Sequence, residues 1–259
     1  RRRLEAQSPI PLRRPSPDIE PILERLKRPE KVTFRRIDLP VSAFLLFARD
    51  PEAYFRVYEI GIPEGGDHRL VEVKEEEVRE EEELTRAQFG TRAHQVLEQL
   101  ITRRLAPGEI DSLLLRFTED LGKKEREEIS EMVQRFAASE EAKEILKAGV
   151  FYPELPFVLR LPYGLVQGTI DLLYQNRKGE WAILDYKTSP VQADTLAQRG
   201  EEYRIQLELY ALALWQILGH PPTEARIHFL RAGLSHPIPF DPRGFEALWE
   251  KFTALQKEI

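Results

Sequence analysis

Hydrophobic spacing along the first part of the chain predicts helices. Ser42 stands where it could cap a helix over residues 43–62, and Asp50-Pro51 predicts a break in that helix because a residue before proline disfavours helical geometry. This segment is rich in aromatic residues that we expect in the core. They are Phe44, Phe47, Tyr54, Phe55 and Tyr58.

The next part of the chain combines a charged run with a second predicted helix. Eight of the twelve residues 72–83 are glutamate, which favours a solvated helix or a mobile loop over a binding site. Residues 85–104 place Ala93, Leu97, Leu100 and Ile101 on one side of a helix. A longer charged helical region is predicted to continue through Lys147.

The pattern changes to strands after residue 151. Residues 157–161, 165–174 and 180–188 form three strand-like runs, and the Gln-Asn-Arg-Lys-Gly sequence between the last two predicts a hairpin. A helix over residues 201–218, strands at 224–233 and 236–240 and an amphipathic helix from about Pro242 follow. Helices before the strands and a crossover helix after them predict an α/β fold with a central mixed β-sheet flanked by helices.

The charge of the chain is unevenly distributed. Its net charge is −6, but residues 1–36 hold eleven Lys and Arg against five Asp and Glu, so the other 223 residues carry −12. Proline at positions 9, 11, 15 and 17 resists helix and sheet, which predicts an extended basic tether over 1–36 and a single domain over 37–259. Such an arm could contact phosphates or be a solvated tail, and charge alone does not choose between them.

Several classes of protein are excluded or disfavoured by what the sequence lacks. There is no cysteine, so disulfides, a thiolate zinc site, an iron–sulfur cluster and a cysteine nucleophile are excluded. No run of 18 apolar residues and no secretory signal is present, so we expect no membrane contact and a cytoplasmic location. The phosphate-binding motif of ATP-driven motors is also absent.

Two acidic residues on neighbouring predicted strands carry the candidate chemistry. Asp185 and Lys187 share one face of a strand, an arrangement that by itself is more typical of a simple ion pair. Asp171 lies in the preceding strand in an otherwise apolar run, where a buried carboxylate needs a partner. The hairpin brings both carboxylates together, and a hard cation, Mg²⁺ or Mn²⁺, would relieve their repulsion.

Other polar residues become candidate site residues if they lie near this pair. His94 alone would be a core histidine, but it becomes a candidate third metal ligand. Gln206 and Tyr210 share one helical face. Glu154 is a candidate auxiliary carboxylate or a surface charge, and Gly168 would allow the backbone or a substrate to approach closely.

Five short motifs together give a resemblance to a known family. They are GTRAH (90–94), YPELPF (152–157), GTIDLL (168–173), ILDYKT (183–188) and QLELY (206–210). Their order and spacing between about Val41 and Phe240 resemble the RecB-like nuclease domains of the PD-(D/E)xK superfamily. The C-terminal nuclease of AddA-type helicase–nucleases, which resect double-strand breaks for recombination repair, is most similar.

The resemblance implies a role for each motif residue. His94, Asp171, Asp185 and the backbone carbonyl of Tyr186 would bind Mg²⁺, with Mn²⁺ as a substitute, and Lys187 would orient the attacking water. Gln206 and Tyr210 would position DNA. The resemblance also implies an exonuclease acting on linear or single-stranded DNA ends, an ATP-dependent helicase motor in the same parent polypeptide and an AddB-like second subunit.

Two other functions compete with this expectation. A catalytically silent DNA-binding scaffold of such a complex is one, although silent copies usually lose the acidic or lysine residues present here. A restriction-type endonuclease acting on duplex sites is the other, although such enzymes generally lack the GTRAH and QLELY motifs.

Overall fold

The computed structural model describes residues 38–61, 73–105, 109–241 and 244–259, and for residues 73–87 and Ala148 it describes the backbone only. The segment 1–36, predicted to be a tether, lies outside the described residues. The boundary proposed at residue 37 therefore stays a prediction.

Helices dominate the first half of the described chain, as the hydrophobic spacing predicts. The acidic run from residue 73 is helical. It belongs to the same helix, α3, as the predicted helix at 85–104. The helices are α1 (Val41–Arg49), α2 (Pro51–Tyr54), α3 (Val73–Arg103), α4 (Ile110–Phe117), α5 (Lys123–Ala138), α6 (Glu140–Ala148), α7 (Leu196–Glu201), α8 (Arg204–Leu218) and α9 (Phe245–Glu258), and a π-helical turn (Phe55–Ile60) follows α2.

The start of the first helix differs from the prediction. Ser42 does not cap it, because α1 already begins at Val41 and no side chain caps its N-terminus. The break at Asp50-Pro51 is confirmed: Asp50 caps α2 by accepting a hydrogen bond from the Ala53 N–H at 2.9 Å, and Pro51 begins the new helix.

The described strands form one mixed sheet. Strand β3 is its centre: it pairs antiparallel with β2 along one edge, and on the other edge with β4 antiparallel and β1 parallel. Strand β4 pairs in parallel with β5, and β5 pairs antiparallel with β6. The strands are β1 (Leu39–Pro40), β2 (Phe151–Leu161), β3 (Gly164–Gln175), β4 (Trp181–Lys187), β5 (Glu224–Phe229) and β6 (Leu234–Ile238).

Two hydrophobic cores cover the two faces of the sheet. On the α3 side, the predicted stripe of α3 packs with α4–α6 against Leu172, Leu184 and Tyr186. On the α8 side, α1, α8 and α9 pack against the opposite face, including Ile170 and Ile183. This confirms the predicted fold class and the alternation of side chains along β4.

Helix α8 is the most deeply buried helix on its side. Residues 207–214 are all buried, which explains why this helix is apolar on nearly every face. Its first turn, however, is only partly buried and carries polar side chains toward the end of β4. Within the described residues, no helix is long and apolar enough to cross a membrane.

Candidate active site

The β3–β4 hairpin places the two candidate aspartates on neighbouring strands. Leu172 pairs with Leu184, so Asp171 and Asp185 occupy the next position along each strand. The backbone N–H of Tyr186 donates a hydrogen bond of 2.8 Å to Oδ2 of Asp171. The strands part beyond this point, and the site lies where they diverge.

Strands β2 and β3 interrupt their alternation at the same level of the sheet. Ile170 and Leu173 both pack in the α8-side core although they are three positions apart. In β2, Phe151 packs on the α3 side and Leu155 on the α8 side although they are four apart. The interruption in β2 coincides with Glu154, whose φ of 47° is rarely adopted by residues other than glycine.

This irregularity brings three potential metal ligands together. His94 Nδ1 of α3 lies 3.6 Å from Oε1 of Glu154 and 3.7 Å from Oδ2 of Asp171. One ligand atom from each of the three residues lies within 4.8 Å of the others. An imidazole nitrogen with two carboxylates is a donor set that suits Mn²⁺ and Mg²⁺.

Asp185 belongs to a second, more buried group. Its side chain is fully buried, and its Oδ2 lies 2.6 Å from Nζ of Lys187. Gln206 bridges the pair, since its Nε2 donates to Oδ1 of Asp185 at 2.9 Å and its Oε1 accepts from Lys187 at 3.2 Å. Gln206 Nε2 also lies 2.7 Å from the hydroxyl of Tyr210.

Sequence-predicted residues therefore gather around one point in two groups. His94, Glu154 and Asp171 form the first, and Asp185, Lys187, Gln206 and Tyr210 form the second. In this structure Gln206 contacts both charged residues of the second group, and Tyr210 contacts Gln206, so both have a structural role beside the predicted positioning of DNA.

The charges of the site perturb one another strongly. Burial and the neighbouring charge of Asp185 raise the pKa of Asp171 to about 7. Burial alone would lower the pKa of His94, but the carboxylates of Glu154, Asp171 and Asp185 outweigh it and raise the pKa to about 8. Burial alone would also lower the pKa of Lys187. The charges of Asp185 and Asp171 outweigh it and raise the pKa. This excess of carboxylates would be relieved by a divalent cation, so the residues present fit a metal site.

Sequence reasoning missed one aromatic residue, and the structure gives one glycine a role in packing. The Tyr203 ring centroid lies 4.7 Å from Nζ of Lys187, and its position three residues before Gln206 could have revealed it. Gly168 serves packing, because a Cβ there would meet the Phe157 ring at 3.0 Å and Val41 at 3.1 Å. Those contacts come from protein side chains and give no support to an approaching substrate.

The sequence as a whole matches a known family. Residues 39–259 match the PD-(D/E)XK nuclease superfamily. The chain belongs to the PD-(D/E)XK nuclease superfamily. The match includes every residue of the candidate site, and it confirms the resemblance seen in the five motifs.

Curated relatives within this superfamily are much longer than the chain. An ATP-dependent helicase/nuclease subunit from Oceanobacillus iheyensis is 30% identical over 179 residues, which cover 61% of this chain and 14% of the relative. The relative of the same name from Carboxydothermus hydrogenoformans is 36% identical over 111 residues, which cover 38% of this chain and 9% of the relative. The matches thus span a small fraction of each relative's length.

A solved structure shares the superfamily fold. A candidate exonuclease from Eubacterium rectale aligns with a TM-score of 0.50 at 13% sequence identity, over 85% of this chain and 78% of that chain. At this identity the likeness concerns the fold, and it agrees with the mixed sheet flanked by helices.

Proposed function

We propose that the chain is a metal-dependent deoxyribonuclease module that hydrolyses phosphodiester bonds at linear or single-stranded DNA ends. The observation that carries this proposal is the meeting of His94, Glu154 and Asp171 beside the buried Asp185–Lys187 pair. Membership of a nuclease superfamily supports the reaction class, and the names of the helicase/nuclease relatives support DNA as the substrate.

The proposed metal set combines both groups of the site. His94 and Asp171 are its centre, Glu154 joins them, and Asp185 and the backbone carbonyl of Tyr186 complete it from β4. Mg²⁺ is the proposed cation, and Mn²⁺ should substitute because an imidazole is among the ligands. The bound cation would neutralise charge that develops on the phosphate and favour ionisation of the attacking water.

The protein residues have separate tasks in this proposal. Lys187 holds a positive charge at the end of β4, where it can orient the water and stabilise an oxygen that gains negative charge. Gln206 fixes the position of Lys187 by accepting a hydrogen bond from its ammonium, and it fixes Asp185 by donating a hydrogen bond to its carboxylate. Tyr210 restrains Gln206 in turn, so the helix α8 acts as a rigid support for the reacting groups.

The biological context is proposed from the relatives. Their names describe one subunit of an ATP-dependent helicase/nuclease. We infer that an ATP-dependent motor belongs to the same parent polypeptide, that it forms a complex with an AddB-like second subunit, and that the complex resects double-strand breaks during recombination repair.

The basic segment 1–36 has a proposed role in binding. Its net charge of +6 beside a domain of −12 would attract DNA phosphates locally. Deleting residues 1–36 should then reduce the salt dependence of DNA binding. Unchanged affinity and salt dependence after the deletion would show that the segment is a solvated tail.

A cleavage assay tests the proposed activity and its alternatives together. The chain is incubated with linear single-stranded, linear duplex and closed circular DNA, each with Mg²⁺, with Mn²⁺ and with EDTA. We expect cleavage of the linear substrates that requires a metal. Cutting of the closed circle at one site would instead identify a restriction-type endonuclease.

A scaffold gives a different result in the same experiment. It would bind the linear DNA without cleaving it under any metal condition, and it would not bind Mn²⁺ at the candidate site. Binding of Mn²⁺ that is lost in Asp171→Asn would distinguish a nuclease that requires its motor from such a scaffold.

A further inference from the structure

A cavity of about 410 Å³ opens directly beside the candidate active site. Tyr203 and Gln206 belong to its wall, and both also contact Lys187, so the cavity and the site share residues. Its volume lies within the roughly 300–1,000 Å³ typical of small-molecule sites. A nucleic-acid strand whose phosphate reached Lys187 would therefore have an adjoining space for its next nucleotide.

The wall of the cavity carries a second aromatic ring. Tyr58 lines the cavity and is 42% exposed. It stacks on the buried Tyr54 with ring centroids 5.2 Å apart and planes inclined by 21°, and Tyr54 is held by Phe47. Tyr58 is thus supported by a packed aromatic column while much of its side chain stays accessible.

The backbone around Tyr58 is unusual. Tyr58 lies in the π-helical turn, a rare conformation that is frequent at functional sites. Arg49 at the end of α1 adds a guanidinium to the same cavity. Aromatic rings and a guanidinium are the groups that hold bases and phosphates of single-stranded nucleic acids.

We propose that this cavity is a subsite for the base of a nucleotide adjoining the cleaved phosphate. The base stacks on Tyr58, and Arg49 contacts the neighbouring phosphate. Only an unpaired nucleotide can enter, because bases in a duplex are already stacked and paired. This inference rests on the proposed nuclease function and assigns it a binding residue outside the five motifs.

Fluorescence of a base analogue tests the subsite. A 12-nucleotide single-stranded DNA carries one 2-aminopurine, moved through successive positions, and is titrated with the full chain in EDTA and in Ca²⁺. We expect quenching to peak at one position. Tyr58→Ala should abolish that peak and raise the Kd about tenfold, as expected for loss of one base–aromatic contact, whereas Tyr58→Trp should retain both.

A matched control and a modified DNA separate direct contact from general damage. Phe55 lies in the same π-helical turn and is 55% exposed, but it is not part of the cavity wall, so Phe55→Ala should leave the Kd unchanged. An abasic nucleotide at the quenched position should weaken binding to the wild-type chain. It should cause no further loss for Tyr58→Ala, because both changes remove the same contact.

The outcomes distinguish the subsite from the nuclease function. If Tyr58→Ala keeps the wild-type Kd and quenching, or resembles Phe55→Ala, the subsite proposal is wrong even if DNA is cleaved. If Tyr58 governs binding as described but the chain neither cleaves DNA nor binds Mn²⁺ at the candidate site, the nuclease proposal is wrong and the cavity is a binding site for single-stranded DNA only. A chain that binds no single-stranded DNA overturns the subsite as well.

Discussion

Glu154 and Asp171 lie directly across from each other on β2 and β3, and each marks the point where its strand changes the face that its side chains occupy. The flanking pairs, Pro153 with Leu172 and Leu155 with Ile170, keep a constant register. The irregularity is therefore local to one cross-strand level. It allows Glu154 and Asp171 to meet His94 instead of pointing into the α8-side core.

Replacing Glu154 tests whether this conformation is strained. At φ 47° a residue with a Cβ is disfavoured, so Glu154→Gly should be more stable than Glu154→Ala by about 1 kcal/mol. Urea unfolding in EDTA measures the difference. Exposed Val158 in the same strand is the control, where alanine should be at least as stable as glycine. Equal stability of the two Glu154 variants would mean that the backbone is not strained.

Removing the Lys187 ammonium should separate stability from catalysis. Lys187→Met leaves the fully buried Asp185 without its cation, so the free energy of unfolding in EDTA should fall by about 3 kcal/mol. Cleavage should fall by about 100-fold or more, as for loss of a group that assists proton transfer. Exposed Lys178 in the hairpin turn offers the control, because Lys178→Met should change neither quantity.

A double variant completes that comparison. Adding Asp185→Asn to Lys187→Met removes the uncompensated charge, and most of the lost stability should return while cleavage stays absent. A double variant as unstable as Lys187→Met would show that the ion pair does not explain the stability of this strand end.

Two glycines of the motifs should respond oppositely to alanine. A Cβ at Gly168 would meet Phe157 and Val41 at 3.0 and 3.1 Å, so Gly168→Ala should lower the free energy of unfolding by about 1 kcal/mol. Gly90 lies in α3, and a Cβ there would meet only Thr188 Oγ1 at 3.7 Å. Gly90→Ala should therefore stabilise the helix by about 0.5–1 kcal/mol. Destabilisation by both variants would contradict this account of the packing.

A buried network away from the site should make stability depend on pH. Glu141 accepts a hydrogen bond of 2.6 Å from Ser235, and its carboxylate lies 3.0 Å from Nδ1 of His228 and 3.2 Å from Nη1 of Arg226. Burial raises the pKa of Glu141, but these partners outweigh it and hold the pKa below its usual value. A carboxyl with a lowered pKa in the folded state stabilises the fold above its unfolded pKa and loses this effect as the pH falls through its folded pKa.

Glu141→Gln measures that contribution. The variant should be less stable than the wild type by about 1–3 kcal/mol at pH 7, and the difference should shrink as the pH falls below about 4. Urea unfolding over this pH range provides the data, and exposed Glu127→Gln serves as the control. A difference that does not vary with pH would exclude the Glu141 charge as its cause.

Local sequence patterns predicted much of this structure. Alternation along β4, the hairpin after β3 and the apolar stripe of α3 each follow from the periodicity of one element, so they could be found without tertiary information. The meeting of Asp171 with Asp185 followed from the hairpin length alone. These features depend on neighbours in sequence.

Features that depend on distant residues could not be predicted in the same way. The cap predicted at Ser42 was wrong because α1 begins directly after the pairing of β1 with β3. Phe55 and Tyr58 were expected in the core but are exposed, and both lie in the π-helical turn, which has no buried residue. The left-handed conformation of Glu154 has no sequence signal of its own.

The proposed metal site is tested by measuring Mn²⁺ binding to the wild type and to Asp171→Asn by calorimetry and by assaying DNA cleavage with the same samples. We expect that the wild type binds Mn²⁺ and cleaves linear DNA, and that Asp171→Asn loses both while remaining folded. In the absence of metal, Asp171→Asn should also be at least as stable as the wild type, because it lacks the repulsion between Asp171 and Asp185. Cleavage or Mn²⁺ binding at the wild-type level in Asp171→Asn would contradict the account.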